Sequence, residues 1–138
     1  AAGEVGMPEE NKDLVIKLFK CFDEGDFQAG RALLHKDFRE QGTSDTIDEF
    51  IERRKGFYRT FPDGTDQFEH VVAEGNLVAT TGSISGTHRN TFMGVAPTGK
   101  RVSMRVWHLH RVAQGKIIEH GAVAELHVLM RELGVAPA

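Results

Sequence analysis

The second half of the chain constrains the fold most. From Asp66 to Glu125 it is written as long β-like runs joined by tight turns: Asp66 to Ala73, Asn76 to His88, Arg101 to Ala113 and Lys116 to Glu125. Ala73-Glu74-Gly75-Asn76 and Ala113-Gln114-Gly115-Lys116 read as turns, and Gly94-Val95-Ala96-Pro97-Thr98-Gly99-Lys100 as a Pro/Gly loop. Long strands with short connections predict an antiparallel sheet that must twist or curve. Gly82 and Gly86 inside the second run suggest bends or bulges. A curved sheet closed by helices makes a cavity.

The first half supplies the helices. Leu14, Val15, Leu18, Phe19 and Phe22 recur at helical spacing, which predicts a helix from Pro8 to Phe22. Glu9 and Glu10 sit in its first turn, where the helix dipole favours negative charge. Gly25 and Asp26 end it and cap a second helix, about Phe27 to His35. Lys36 to Gly42 reads as short and extended. Thr46 with Glu49 is a capping box, and Ile47, Phe50, Ile51, Arg54, Phe57 and Phe61 continue a third helix that Phe61-Pro62-Asp63-Gly64 stops. Helices first and a meander afterwards predict an α+β fold.

With 138 residues, 40% apolar and 27% charged, the expectation is one globular domain over 1–138, with about residues 1–7 as a flexible tail. A net charge of −3 gives no electrostatic case for nucleic acid or an anionic membrane. No apolar run reaches the ~18 residues of a membrane span. The N-terminus shows no signal-peptide pattern, so a cytoplasmic location is expected. Cys21, alone on a helix, reads as a buried inert thiol.

Alternation sorts the long strands. Val102, Met104, Val106, His108, His110 and Val112 share one face of the third run, assigned to the interior. Trp107 and Leu109 fall on the other face and need cover, for which a second subunit is the natural candidate. In the fourth run, Ile117, Glu119, Gly121, Val123 and Glu125 oppose Ile118, His120, Ala122 and Ala124. Polarity does not decide which set points inward. If Glu119 and Glu125 do, His120 points out.

These residues bring a family into view. Phe61-Pro62-Asp63, Val71-Val72-Ala73-Glu74-Gly75-Asn76-Leu77-Val78, Gly86-Thr87-His88, the Gly94–Lys100 loop, Arg111 with Gly115-Lys116-Ile117-Ile118-Glu119-His120, and Leu133-Gly134-Val135 occur in order over most of the chain. The set resembles the SnoaL-like polyketide cyclases of the nuclear-transport-factor-two-like superfamily. The resemblance implies a conical α+β barrel: a curved antiparallel sheet, three N-terminal helices on its concave face and a short C-terminal helix. It also implies an apolar pocket, often a homodimer, and cofactor-free acid/base chemistry on carbonyl compounds, such as intramolecular aldol ring closure. Family cyclases carry an aspartate acid/base where this chain has Glu125, and tryptophan where it has Gly121.

Glu125 is therefore the first catalytic candidate, a carboxylate whose basicity an apolar pocket would raise. The bland alternative is that it merely starts the C-terminal helix. His108 and His110, on one strand face, could donate hydrogen bonds to an enolate. They could equally be buried structural histidines, and His-x-His without a third ligand is too weak to predict a metal. Gln41, His88, Gly121, Met104 and Val123 complete the candidate ligand-binding set; a surface loop is the simpler place for Gln41 and His88. The expectation is a cofactor-independent enzyme acting on a hydrophobic carbonyl compound. A ketone isomerase, an epoxide hydrolase, or a non-catalytic binding or interaction module on the same fold are the alternatives.

Overall fold

The computed structural model describes residues 6–135; most of the expected tail, residues 1–5, lies outside them. The elements run α1 (Pro8–Asp23), α2 (Phe27–Ala32), β1 (Leu34–Glu40), α3 (Ile47–Thr60), β2 (Thr65–Glu74), β3 (Leu77–Thr87), β4 (Arg101–Ala113), β5 (Lys116–Ala124) and α4 (Leu126–Glu132). The five strands form one mixed sheet in the order β1-β5-β4-β3-β2. It is curved but not closed, and with its helices it forms an α+β cone.

β1 is the main addition to the expected layout. Its residues were read partly as the end of helix two and partly as an extended stretch. Instead α2 stops at Ala32 and β1 adds to β5 in parallel. Leu34 and Phe38 are buried with α1 and α3 in the principal core, among Val15, Leu18, Phe19, Phe22 and Phe50. Burying these side chains requires the chain to extend along the sheet edge rather than continue a helix. A second apolar cluster, Phe61, Val102, Leu129 and Leu133, seats α4 against β4.

Local chemistry sets the boundaries. Asp26 accepts the Ala29 amide at 3.0 Å and starts α2. At α3 the Glu49 carboxylate accepts the Thr46 amide at 3.0 Å, as the capping box requires. The β4–β5 hairpin turns through Gln114 (φ 53°) and Gly115 (φ 73°), both left-handed as the tightest hairpin turns demand.

Two strand irregularities decide which side chains face inward. On β2 the register with β3 shifts between Phe68 and His70, leaving Glu69 as an extra residue. Asp66 and Phe68 precede the shift and are partly buried; beyond it Val71 and Ala73, of opposite parity, take the buried side. Gly82 lies opposite Phe68, and a Cβ there would run into the Gln67 carbonyl. On β5 the register with β4 shifts at Ile118: Arg111 pairs with Glu119, but Val112 pairs with Ile117. Ile117 is buried in the core, and so is His120, three residues later. Strict alternation would have put these two on opposite faces.

Gly82 offers a direct test. Replacing it with alanine forces backbone against backbone, and overpacking of this kind costs about 1–3 kcal/mol. Denaturant unfolding of Gly82→Ala should lose stability at the upper end of that range, whereas Gly115→Ala should lose only about 1 kcal/mol for its left-handed backbone.

Candidate functional site

A cavity of about 270 Å³ opens between α3 and the concave face of the sheet. Phe50 and Phe57 of α3 and Ile84, Met104 and Val106 of β3 and β4 give it apolar walls. Into it project Glu40, Arg54, Asp66, His108 and His120, and Arg53 stands at its edge.

One wall is a relay. Glu40 and His120 are register partners on β1 and β5. Both Glu40 oxygens lie on His120 Nδ1, at 2.8 and 2.7 Å, and both residues are buried. His120 Nε2 is in turn 2.9 Å from His108 Nδ1. A carboxylate only accepts, so Nδ1 of His120 carries a proton. With His120 neutral, its Nε2 accepts from His108 Nδ1–H. That leaves the lone pair of His108 on Nε2, which makes no hydrogen bond to the described residues. Burial first, then the neighbouring His120 and Arg54, pulls the His108 pKa down to about 3, so this imidazole is neutral.

The facing wall is built on Arg54. Its guanidinium pairs with Asp66, lies 3.5 Å from Asp23 and donates to Tyr58 Oη at 3.0 Å. It also sits over the rings of Phe19, Phe57 and Tyr58, 5.2–5.3 Å from each centroid. Asp23 is occupied from every side: Tyr58 donates to it, as does the Asp66 amide at 2.8 Å. Burial drives the Asp66 pKa up to about 8, against the pull of Arg54 and with further upward pressure from Asp23. Burial thus favours the protonated form of Asp66. Asp66 and His108 also border one further gap of about 10 Å³, together with Gly82 and Val106.

The expected residues are distributed differently. His108 and Met104 line the cavity. His110 is fully buried beneath it, stacked on His108 at 5.5 Å, with neither ring nitrogen hydrogen-bonded among the described residues. Burial holds its pKa well below the usual histidine range. Glu125 is exposed at the N-terminal end of α4 and is not among the cavity-lining residues. The shift at Ile118 explains this: beyond it His120, Ala122 and Ala124 turn inward, so Glu119, Gly121, Val123 and Glu125 turn out. Val123 is 77% exposed on the outer face, and Gly121 there is covered by Gln41, whose amide donates to Glu119 at 2.7 Å. His88 is buried at the foot of the 88–100 loop, its Nδ1 accepting the Thr98 amide at 3.1 Å, and does not reach the cavity.

Glu40, Arg54, Asp66 and His120 carry site chemistry that the sequence reading did not assign. Glu40 shares the parity of buried Phe38 on an extended stretch, a usable signal. Arg54 interrupts the apolar stripe of α3, another. Asp66 and His120 depend on the shifted registers and had no such mark. Among the described residues, no group of three or more His, Cys, Asp or Glu side chains is arranged to hold a metal ion. No helix there is long and apolar enough to cross a membrane.

The sequence model of the SnoaL-like polyketide cyclases matches residues 12–133. The chain belongs to the SnoaL-like polyketide cyclase family. Solved structures of similar fold include AclR, a candidate hydroxylase from Streptomyces galilaeus, at 26% identity and TM-score 0.86, covering 95% of this chain and 100% of that one. IdmH, a candidate polyketide cyclase from Streptomyces antibioticus, is 29% identical with TM-score 0.84, covering 91% and 99%. A SnoaL-like protein from Jannaschia at 23% identity and TM-score 0.82, covering 99% of each chain, shares the fold. No curated protein matches the chain by sequence.

The two perturbed groups give stability opposite pH slopes. His108 in the folded state binds fewer protons than in the unfolded chain between about pH 3 and 6.5, so stability rises with pH there. Asp66 binds more protons when folded between about pH 4 and 8, so its contribution falls as pH rises. Above pH 6.5 only the Asp66 slope remains, and stability should drop by on the order of 1–2 kcal/mol toward pH 8. His110, which burial likewise keeps neutral, adds to the His108 slope, so denaturation series across this range should show a maximum near pH 6.5. Asp66→Asn should flatten the alkaline limb and steepen the rise between about pH 4 and 6.5.

Proposed function

We propose that the protein is a cofactor-independent acid/base enzyme acting on a hydrophobic carbonyl compound held in the cavity. The observation that carries this reading is the Glu40–His120–His108 chain of contacts facing the Arg54–Asp66 pair across one apolar-walled cavity. Environments that push two titratable groups apart define a base and an acid at one pH.

In this reading His108 Nε2 removes a proton from the carbon next to the carbonyl. The new positive charge is shared along His108, His120 and Glu40, whose carboxylate holds the far end. The electrons move onto the carbonyl oxygen, where Asp66 and Arg54 donate hydrogen bonds. The enolate carbon then attacks a second carbonyl of the same molecule. One C–C bond forms, and the resulting alkoxide takes back a proton. This is an aldol ring closure, balanced without a cofactor, as expected for a polyketide cyclase. Stopping after reprotonation at a different carbon gives a ketone isomerase. A binding module is the second reading, favoured by the exposure of Glu125 at the position where family cyclases carry their acid/base.

Exchange of α-protons of 2-tetralone into D₂O, followed by NMR, tests the chemistry without knowledge of the natural substrate. His108→Ala should slow catalysed exchange by about 10²–10⁴, the usual scale of general acid–base catalysis. His120→Phe should slow it as well, and Glu125→Gln should not. Binding without catalysed exchange in the unmodified protein would establish the module reading instead.

We also propose a homodimer through the outer sheet face. Trp107 is 57% exposed and sits directly beside Val123, with Leu109 on the same face. A patch of this kind on the face opposite the cavity is apolar surface in need of cover. Analytical ultracentrifugation at micromolar concentration should give a dimer, and Trp107→Glu should shift it to monomer with the helical and strand content unchanged. A monomeric unmodified protein would refute the assembly.

A further inference from the structure

We infer that the cavity selects ligands of one or two fused rings, with Met104 setting the limit. The inference rests on the reading of the cavity as the ligand site and adds the size class of its occupant. An apolar cavity of ~150 Å³ holds one benzene ring. At about 270 Å³ the present cavity has room for somewhat less than two such volumes, which is a fused bicycle or one ring with short substituents. It also lies just below the ~300–1,000 Å³ usual for drug-sized ligands.

The walls explain why it stops there. Behind the inner wall Phe19 packs against two of its members, its ring 5.0 Å from that of His108 and 5.2 Å from the Arg54 guanidinium. The apolar continuation runs beneath α4, toward Phe61, Val102 and Leu129, but holds only about 10 Å³. Phe57, Ile84 and Met104 border both spaces. Phe57 is fixed against Phe61, with centroids 5.1 Å apart. Ile84 is β-branched and held in the middle of β3. Met104 is unbranched and half-buried, and its thioether chain is the removable part of the partition. Shortening it joins crevice to cavity without touching the relay or the Arg54 cluster.

A size limit opposes the ordinary trend. Binding strengthens with apolar area removed from water, so a larger aromatic ketone binds more tightly unless the walls exclude it. The probes are 2-tetralone, with two rings, and 1,8-dihydroxyanthraquinone, with three. Affinities are measured by NMR titration of ¹³C-methyl methionine and of the histidine imidazoles. In the unmodified protein the bicycle should bind about tenfold or more tighter than the tricycle and shift the Met104 and His108 signals. Met104→Ala should shift the preference toward the tricycle, tightening it by about tenfold relative to the bicycle. Met104→Phe, which fills rather than empties the space, should weaken the bicycle and retain acetophenone, and guards against a misfolded alanine variant. Tricycle binding at Met104 and His108 as tight as the bicycle overturns the size limit and leaves the ligand-site reading standing. Failure of every probe to shift these signals overturns both.

Discussion

The buried pairing of Glu40 with His120 is the contact on which the rest of the site depends. A carboxylate this far from water is costly unless its oxygens are engaged, and here one N–H of His120 serves both. The pairing requires β1 to lie parallel against β5 with these two residues in register. The Gln41 amide, donating to the His120 carbonyl at 2.7 Å, fixes the strand end where they meet. It also sets the tautomer of His120, and through it that of His108. One contact thus links the N-terminal half of the chain to the last strand and decides which nitrogen faces the cavity. Removing one partner of such a pair, while the other stays buried, costs about 3–5 kcal/mol by general precedent.

The two strand irregularities do equivalent work on opposite sides of the sheet. In a regular strand, inward positions repeat every second residue, and no cluster of inward groups can change phase. The extra residue at Ile118 changes the phase of β5, so that Ile117 serves the core and His120 the cavity. The extra residue at Glu69 does the same on β2, separating Asp66 and Phe68 from Val71 and Ala73. Gly82 is the counterpart on the neighbouring strand, lacking the side chain that would strike the displaced Gln67 carbonyl.

This is also where the sequence ceases to be legible. The helices, the positions of the four long strands and the inward face of β4 follow from periodicity and turn chemistry, and β4 keeps one phase throughout. His108 and Met104 belong to that face and line the cavity. The capping box at Thr46 and the stop at Phe61-Pro62 are local chemistry, and both are in place. Glu125 and Gly121 come from the family resemblance and lie, with Val123, beyond the phase change of β5, which turns them to the outer face. Gly82 was marked as a bend, yet the residue that bulges is across the ladder on β2, where nothing in the one-dimensional pattern points to Glu69. Glu40 shares the parity of Phe38, but nothing in the one-dimensional pattern pairs this extended stretch with β5.

The electrostatics of the cavity follow from the same geometry. Arg54 is neutralised from behind by Asp23, which is itself held by Tyr58 and the Asp66 backbone. Asp66 therefore need not carry a charge to balance the guanidinium, and burial keeps its proton on. On the other wall Glu40 accepts the Nδ1 proton of His120, and burial keeps His108 neutral. The Arg54 guanidinium and the Glu40 carboxylate that line the cavity are thus each held by partners in its walls. When a proton moves, the new charge appears between groups whose partners are already aligned to receive it, so little reorganisation is required at that moment.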